Sequence, residues 1–196
     1  MLSCPLDITV PNDHDQAGAV VSYPATGYSG NCGMVSTSPA SGSFFPLGLT
    51  PVTTTARRLD DSFDSCIFNI TVNDTQFPVV SIPTVDKPTL WPPDHQMIAE
   101  TVSYTASDND SVACTLSVAS NELINGLGDG DTAPDWIIGD DHHLQLRSER
   151  GGKGRGRTYT ITVTCADPAG NTVIKTVPVS VPFSQKTPRS AVNSVR

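Results

Sequence analysis

Short apolar runs separated by proline and glycine are the feature that most constrains how this chain can fold. Sixteen prolines and fifteen glycines occur among the 196 residues. Because proline breaks the interior of a helix and glycine weakens it, this punctuation disfavours long helices. The runs alternate apolar with polar side chains, most regularly at residues 66–72, and a period of two is typical of strands with one buried face. The sequence therefore predicts an all-β protein.

The strand pattern occurs twice along the chain, which predicts two modules. Residues 21–26 and 102–107 share the order Val-Ser-Tyr, and each segment leads to a cysteine. Short strands at regular spacing with frequent turns favour sandwiches over barrels or βαβ units. We therefore expect two tandem immunoglobulin-like antiparallel β-sandwich modules, at residues 1–78 and 79–183, followed by a flexible polar tail at 184–196.

The charge balance restricts the partners of the chain. Twenty acidic and twelve basic residues give a formal net charge of −8. Such a surface repels phosphate backbones, so nucleic acid is not an expected partner. No apolar stretch approaches the roughly 20 residues of a membrane-spanning helix. No basic-then-apolar signal peptide begins at Met1.

Five cysteines without a Cys-x-x-Cys pair indicate disulfides rather than a metal site. They are Cys4, Cys32, Cys66, Cys114 and Cys165. Bridges that close loops of about 50 to 60 residues would stabilise thin sandwiches, and disulfides imply an oxidising compartment. The alternative is a cytosolic protein with five buried reduced thiols. We expect an extracellular or cell-surface location.

The strongest chemical signal is the sequence Gly-Asp-Gly-Asp-Thr-Ala-Pro-Asp at residues 128–135. Carboxylates on a tightly bent backbone suit Ca²⁺, which takes about 6 to 8 oxygen ligands, although the spacing does not fit the EF-hand loop. The candidate calcium ligands are Asp129, Asp131, Asp135, Glu122 and Asp108. The alternative is an acidic turn held by Asx hydrogen bonds and by nearby arginines.

Catalytic motifs are missing from the sequence. It contains neither a Gly-x-Ser-x-Gly elbow nor a His-x-x-x-His pair. Two tryptophans and four tyrosines are too few to line a sugar groove around paired carboxylates. The basic, glycine-rich run at 150–157 lacks the Gly-Lys-Ser/Thr and the following helix of a phosphate loop, and is expected to be a solvent-facing hairpin tip. We therefore expect no enzymatic activity.

Three asparagines match the acceptor pattern for N-linked glycosylation. They are Asn69, Asn73 and Asn109. Asn73 and Asn109 are the better candidates, since Asn69 falls inside a predicted strand. The alternative is chance occurrence in a chain rich in asparagine and threonine.

Residues 4–78 resemble the hyalin repeat (HYR) family, an extracellular module with an immunoglobulin-like fold that is associated with adhesion. The matching segments are Cys-Pro-Leu-Asp-Ile-Thr-Val at 4–10, Gly-Ala-Val-Val-Ser-Tyr at 18–23, Asn-Cys-Gly at 31–33, Ser-Gly-Ser-Phe-Phe-Pro-Leu-Gly at 41–48, and Cys-Ile-Phe-Asn-Ile-Thr-Val-Asn-Asp at 66–74. The family usually carries a cysteine where Ala17 stands. The resemblance therefore leaves Cys32 unpaired and implies a bridge between Cys4 and Cys66.

Residues 88–182 resemble a repeat that occurs in tandem in large secreted bacterial surface proteins. The matching segments are Leu-Trp-Pro-Pro-Asp-His at 90–95, Ser-Asn-Glu at 120–122, the acidic loop with its tryptophan at 125–136, and Asp-Pro-Ala-Gly-Asn at 167–171. The resemblance implies a fold and a location, but no ligand. Asp110 stands where these repeats often have a cysteine, which leaves Cys114 and Cys165 as the implied pair.

These observations predict a non-enzymatic extracellular structural protein, a tandem repeat unit of a surface stalk, matrix or filament. Open sheet edges would let copies of the chain, or other immunoglobulin-like modules, join by strand addition. One alternative is an adhesin or carbohydrate-binding module with calcium-supported loops, whose partners are glycans. Another is an accessory domain of a larger enzyme. Cys32 would be either a link between subunits or a buried thiol.

Overall fold

The structure, a computed structural model, describes residues 2–29, 32–124, 133–153 and 155–184, with the backbone alone at positions 32 and 33. In this part of the chain every regular element is a strand, which confirms the predicted all-β class. None of the described residues forms a helix that is long and apolar enough to cross a membrane.

The strands form two compact units, which are described separately. Unit 1 consists of the residues up to Val79 together with two short segments, Ser107–Val112 and Ala166–Thr172. Unit 2 consists of Val80–Ala106, Ala113–Cys165 and the residues from Val173 onward. The sequence prediction assigned both short segments to the second module, because it followed the continuous chain and had no means of seeing which contacts these segments make.

The strands of unit 1 are β1 (Leu2–Ser3), β2 (Ile8–Pro11), β3 (Gly18–Val21), β4 (Gly27–Tyr28), β5 (Cys32–Ser38), β6 (Ser43–Pro46), β7 (Gly48–Arg58) and β8 (Phe63–Asn73). Two short strands, β9 (Val79–Val80) and β12 (Ala106–Ser107), have one residue in each unit. The remaining strands are β10 (Thr84–Val85), β11 (Met97–Ser103), β13 (Ala113–Ser120), β14 (Trp136–Ile138), β15 (His143–Arg147), β16 (Gly156–Ala166) and β17 (Thr172–Pro182).

The larger sheet of unit 1 has the strand order β2-β8-β7-β5. Its central pairs are antiparallel, whereas β2 runs parallel to β8 with Ile8 beside Ile70. The second sheet pairs β3 with β6 antiparallel, with Ala19 opposite Phe45. Unit 1 is thus an antiparallel sandwich with one parallel pair, formed by strands too far apart in the chain to be joined by a hairpin.

The core of unit 1 lies between these two sheets. In β8 the side chains of Phe68, Ile70 and Val72 are buried, and the residues between them point away from the core. Ala19 and Phe45 of the second sheet pack against this row. Because the burial of one large apolar side chain contributes about 1.5–3 kcal/mol, the alternation along β8 is a main source of the stability of the unit.

Unit 2 contains a four-stranded sheet of order β10-β11-β15-β14 and a three-stranded sheet of order β13-β16-β17. In β16 every second residue from Arg157 to Cys165 is buried. Leu144 and Leu146 of β15 supply buried side chains from the other sheet. This arrangement confirms the predicted fold class, a pair of immunoglobulin-like β-sandwiches.

Each unit contains one disulfide. Cys4–Cys66 joins the segment before β2 to β8 across 62 residues, and Cys114–Cys165 joins β13 to β16 across 51 residues. These are the two pairs that the resemblances imply. The second bridge connects neighbouring strands of one sheet, so it fixes their register rather than clamping two sheets together. Loops of this length correspond to about 4 kcal/mol in the chain-entropy description of disulfides.

A buried carboxyl group lies on β11 of unit 2. Glu100 is 2% exposed, and its Oε2 atom accepts a hydrogen bond of 3.1 Å from the backbone N–H of Lys87. Burial, together with the neighbouring Asp86 carboxylate, raises the pKa of Glu100 to about 8. Asp86 keeps its charge, because the Lys87 ammonium at 2.6 Å and the backbone N–H of Thr101 lower its pKa. At neutral pH the folded unit therefore holds the Glu100 proton.

We expect the stability of unit 2 to fall as the pH rises from about 4.5 to 8. In this interval folded Glu100 keeps a proton that the unfolded chain has lost, and each pH unit lowers the free energy of unfolding by up to about 1.4 kcal/mol. Unfolding by urea, followed by tryptophan fluorescence, reports on this unit because both Trp91 and Trp136 belong to it. Over this pH interval, the free energy of unfolding of Glu100→Gln should fall by at least about 1 kcal/mol less than that of the unmodified chain. The exposed-site control Asp94→Asn should retain it, and an unchanged slope in Glu100→Gln would refute the assignment.

Candidate metal centre

Three aspartates that are distant in the chain meet in unit 1. Asp74 follows β8, Asp108 follows β12, and Asp167 lies in the turn between β16 and β17. One carboxylate oxygen from each lies within 4.8 Å of the other two. Asp167 is buried, and Asp74 and Asp108 are half-buried. We call these three residues the aspartate cluster.

The turn at Asp167 is fixed by its own side chain. The Asp167 carboxylate accepts hydrogen bonds from the backbone N–H of Asn171 at 2.9 Å and from its amide nitrogen at 2.8 Å. Gly170 adopts a φ of 94°, a left-handed conformation that glycine enters without a steric cost. The sequence Asp-Pro-Ala-Gly-Asn thus positions this carboxylate through local interactions alone.

Asn109 orients the other two carboxylates. Its backbone N–H donates to Asp108 Oδ1 at 2.9 Å, and its amide nitrogen donates to Asp74 Oδ2 at 3.1 Å and to the Gln16 carbonyl at 3.2 Å. The oxygens Asp108 Oδ2 and Asn109 Oδ1 are buried and have no hydrogen-bond partner among the described residues. A buried acceptor without a partner costs about 1–3 kcal/mol.

The electrostatics of the cluster reflect its crowding. Burial raises the pKa of Asp108, and the negative charges of Asp74, Asp167 and Asp110 raise it further, against a lowering by the Asn109 N–H. Burial also acts to raise the pKa of Asp167, but hydrogen bonds from the Asn171 turn outweigh it, so this pKa is lowered. Within the described part of the chain, no lysine or arginine forms an ion pair with the cluster.

An open cleft of about 690 Å³ lies beside the cluster in unit 1 and includes Asp74 in its wall. Asn73, Thr75 and Asp110 supply further polar groups, while Val72 and other apolar residues complete the lining. The cleft can therefore accept a ligand that carries both polar and apolar surface.

The structure describes three of the five sequence-predicted calcium ligands. Asp129 and Asp131 lie outside the described residues. Asp108 belongs to unit 1, whereas Glu122 and Asp135 belong to unit 2. Only Asp108 joins the aspartate cluster. The cluster partners Asp74 and Asp167 were not predicted as ligands.

In unit 2 the side chain of Arg157 contacts Asp135 and Glu122, two of the carboxylates that were predicted to bind Ca²⁺. The Nη1 atom of Arg157 lies 3.0 Å from Asp135 Oδ2, and its Nε atom lies 3.4 Å from Glu122 Oε2. The same guanidinium donates to the Tyr159 hydroxyl at 3.1 Å and approaches Glu149 to 4.0 Å. Arg157, Asp135 and Glu149 are at most 2% exposed. The acidic groups here are thus compensated from within the chain.

We expect Arg157→Met to destabilise unit 2 by about 3–5 kcal/mol, because it leaves the buried Asp135 carboxylate without its counter-ion. Urea unfolding followed by tryptophan fluorescence measures the effect. Arg155→Met, which removes an exposed arginine two positions before Arg157, should change stability by less than about 0.5 kcal/mol. Equal effects of the two substitutions would show that the ion pairs of the buried arginine do not contribute to the stability of unit 2.

The predicted glycosylation sites differ in their surroundings. The amide nitrogen of Asn69 donates to Asp7 Oδ2 at 3.1 Å, and that of Asn109 is engaged with Asp74 and Gln16. Asn73 is exposed at the end of β8. Glycosylation stays a prediction at all three, with Asn73 the most accessible. The side chain of Cys32, predicted to be unpaired, lies outside the described residues.

Comparisons with known proteins identify no family. Neither a protein-family model nor a curated protein matches the chain. Fibronectin(III)-like modules of Clostridium thermocellum CbhA align over 97% of this chain and 100% of theirs, at 13% identity and a TM-score of 0.35. Cadherin domains 1–4 of protocadherin gamma B7 align over 75% of this chain and 37% of theirs, at 18% identity and a TM-score of 0.31. TM-scores this low support no functional conclusion.

Proposed function

We propose that this chain is a non-enzymatic extracellular module with a structural or adhesive role. The observation that carries the proposal is the disulfide in each sandwich unit, because such bridges persist in oxidising compartments and are rare in the cytosol. The net charge of −8 suits a protein that faces open solvent. A role as a repeat unit of a surface stalk, matrix or filament requires contacts between copies, and unit 1 offers a surface for them.

This surface is the outer face of the β7–β8 pair. Both strands bury even-numbered side chains, such as Val52 and Ile70, so their odd-numbered side chains lie on the opposite face. On that face Leu49, Phe63 and Ile67 are 65%, 65% and 63% exposed. The three side chains lie at intervals of four residues along the strand pair, and we propose that the face they share is the contact surface between copies.

A second copy of the chain is the partner that this face fits best. The long strands β7 and β8 pair continuously from Gly48 beside Val72 to Arg57 beside Phe63, so the face is an extended sheet surface. Two such faces can stack at about 10 Å, with the side chains of one between those of the other. Because the same patch serves on both copies, a two-fold pair needs no other complementary surface.

We expect Ile67→Thr to weaken self-association of the purified chain by at least about tenfold, since it removes apolar area from the centre of the contact. Sedimentation velocity over a concentration series measures the dissociation constant. The matched control is Ile174→Thr, which makes the same change on β17 of unit 2 at 61% exposure. It should associate like the unmodified chain.

Two results would overturn this part of the proposal. One is a chain that stays monomeric at the highest accessible concentration. The other is an equal effect of Ile67→Thr and Ile174→Thr. Negative-stain images of the purified chain without added ligand then separate a filament from a closed pair.

A carbohydrate-binding role is the second candidate, and the cleft beside the aspartate cluster is the observation that favours it. Its wall combines the polar groups of Asn73, Asp74 and Thr75 with apolar surface, as a sugar ring requires. Glycan-array binding that is lost in Asn73→Ser would support an adhesin. Absence of glycan binding, together with filaments, would support the structural role.

A further inference from the structure

We infer that the carboxylates of Asp74, Asp108 and Asp167 form a binding site for a divalent cation, with Ca²⁺ as the preferred ion. One oxygen from each residue lies within 4.8 Å of the others. Calcium–oxygen distances are about 2.3–2.6 Å, so two ligands on opposite sides of one ion are about 5 Å apart. A single ion can therefore contact all three carboxylates without a large rearrangement.

Two buried oxygens at the cluster independently point to a ligand. Asp108 Oδ2 and Asn109 Oδ1 are buried, and neither accepts a hydrogen bond from any described residue. The orientation of the Asn109 amide is settled by its nitrogen, which donates to two acceptors, Asp74 Oδ2 and the Gln16 carbonyl. If the Asn109 amide rotated by half a turn, its nitrogen would lose both of these acceptors. The oxygen therefore stays where it is, without a donor. A cation held by the cluster would satisfy Asp108 Oδ2, a carboxylate oxygen that the described residues leave without a donor.

The charge balance of the chain supports the same assignment. In unit 2 the buried carboxylate of Asp135 is compensated by Arg157 at 3.0 Å. In the aspartate cluster, no described lysine or arginine plays this part. Three carboxylates at this separation repel one another strongly in a half-buried setting. A divalent cation from solution would offset this repulsion.

The ligand chemistry selects the kind of ion. The cluster offers oxygen atoms alone, which suits Ca²⁺ or Mg²⁺ rather than softer metals that prefer histidine or cysteine. Its ligands come from three separate chain segments, one after β8 and two in turns. Ca²⁺ accepts such irregular geometry, whereas Mg²⁺ demands a near-ideal octahedron at about 2.0–2.1 Å. Binding would tie the three segments of unit 1 together and stabilise that unit.

Isothermal titration of the full chain with CaCl₂, after treatment with EDTA, tests the site directly. We expect one calcium site per chain in the unmodified protein and at least about tenfold weaker binding in Asp108→Asn and in Asp167→Asn. Titration with MgCl₂ should give weaker binding than CaCl₂. The matched control is Asp94→Asn, an exposed aspartate of unit 2, which carries the same charge change and should bind within about threefold of the unmodified chain.

Calorimetric unfolding provides a second readout. It compares the unfolding temperature of each variant in EDTA with that in excess CaCl₂, so a difference in stability between the variants does not affect the comparison. In EDTA, Asp108→Asn should unfold at the same temperature as the unmodified chain or higher, because one repelling charge is gone. In excess CaCl₂ the order should reverse, since ligand binding raises the unfolding temperature of the unmodified chain alone. Absence of calcium binding in the unmodified chain, or equal binding in Asp108→Asn, would overturn the inference.

Discussion

The alternation of buried and outward-facing side chains along the long strands is the constraint on which both units depend. A shift of one residue in the register of a strand would move its whole apolar row to the wrong face. In β8 the cysteine at position 66 is in phase with buried Phe68 and Ile70, and in β16 Cys165 is in phase with buried Ile161. Each disulfide therefore requires the register that the core requires. The two constraints reinforce each other, so one pairing of the strands is strongly favoured.

Much of this architecture could be predicted because it is local. The period of two at residues 66–72 indicated a strand with one buried face, and the structure places β8 there. The turn between β16 and β17 is likewise local, because the sequence Asp-Pro-Ala-Gly-Asn consists of residue types that favour turns. The parallel pairing of β2 with β8, and the inclusion of residues 107–112 and 166–172 in unit 1, depend on contacts between distant segments. No local pattern encodes such contacts.

The acidic residues show the same difference between features that local sequence determines and features that depend on contacts between distant segments. The sequence analysis named Asp108 as a candidate calcium ligand, but its strongest signal for calcium was the loop at 128–135. The structure compensates Asp135 with Arg157, which arrives from the next long strand. It also brings Asp74 and Asp167, each surrounded by ordinary turn residues, to Asp108. An acidic segment can be recognised in a sequence. Which positive charge lies beside it depends on contacts that form only in the folded chain.

The central claim is that two separate sandwiches are each held in register by one disulfide, and peptide mapping under non-reducing conditions tests it most directly. Digestion with trypsin and an aspartate-specific protease separates Cys4 from Cys32, because Asp7, Asp13 and Asp15 lie between them. Mass spectrometry should then find Cys4 linked to Cys66 and, separately, the cysteines at 114 and 165 linked to each other. A bridge from either unit to the other, or a bridge from Cys32 to one of these four cysteines, would contradict the account.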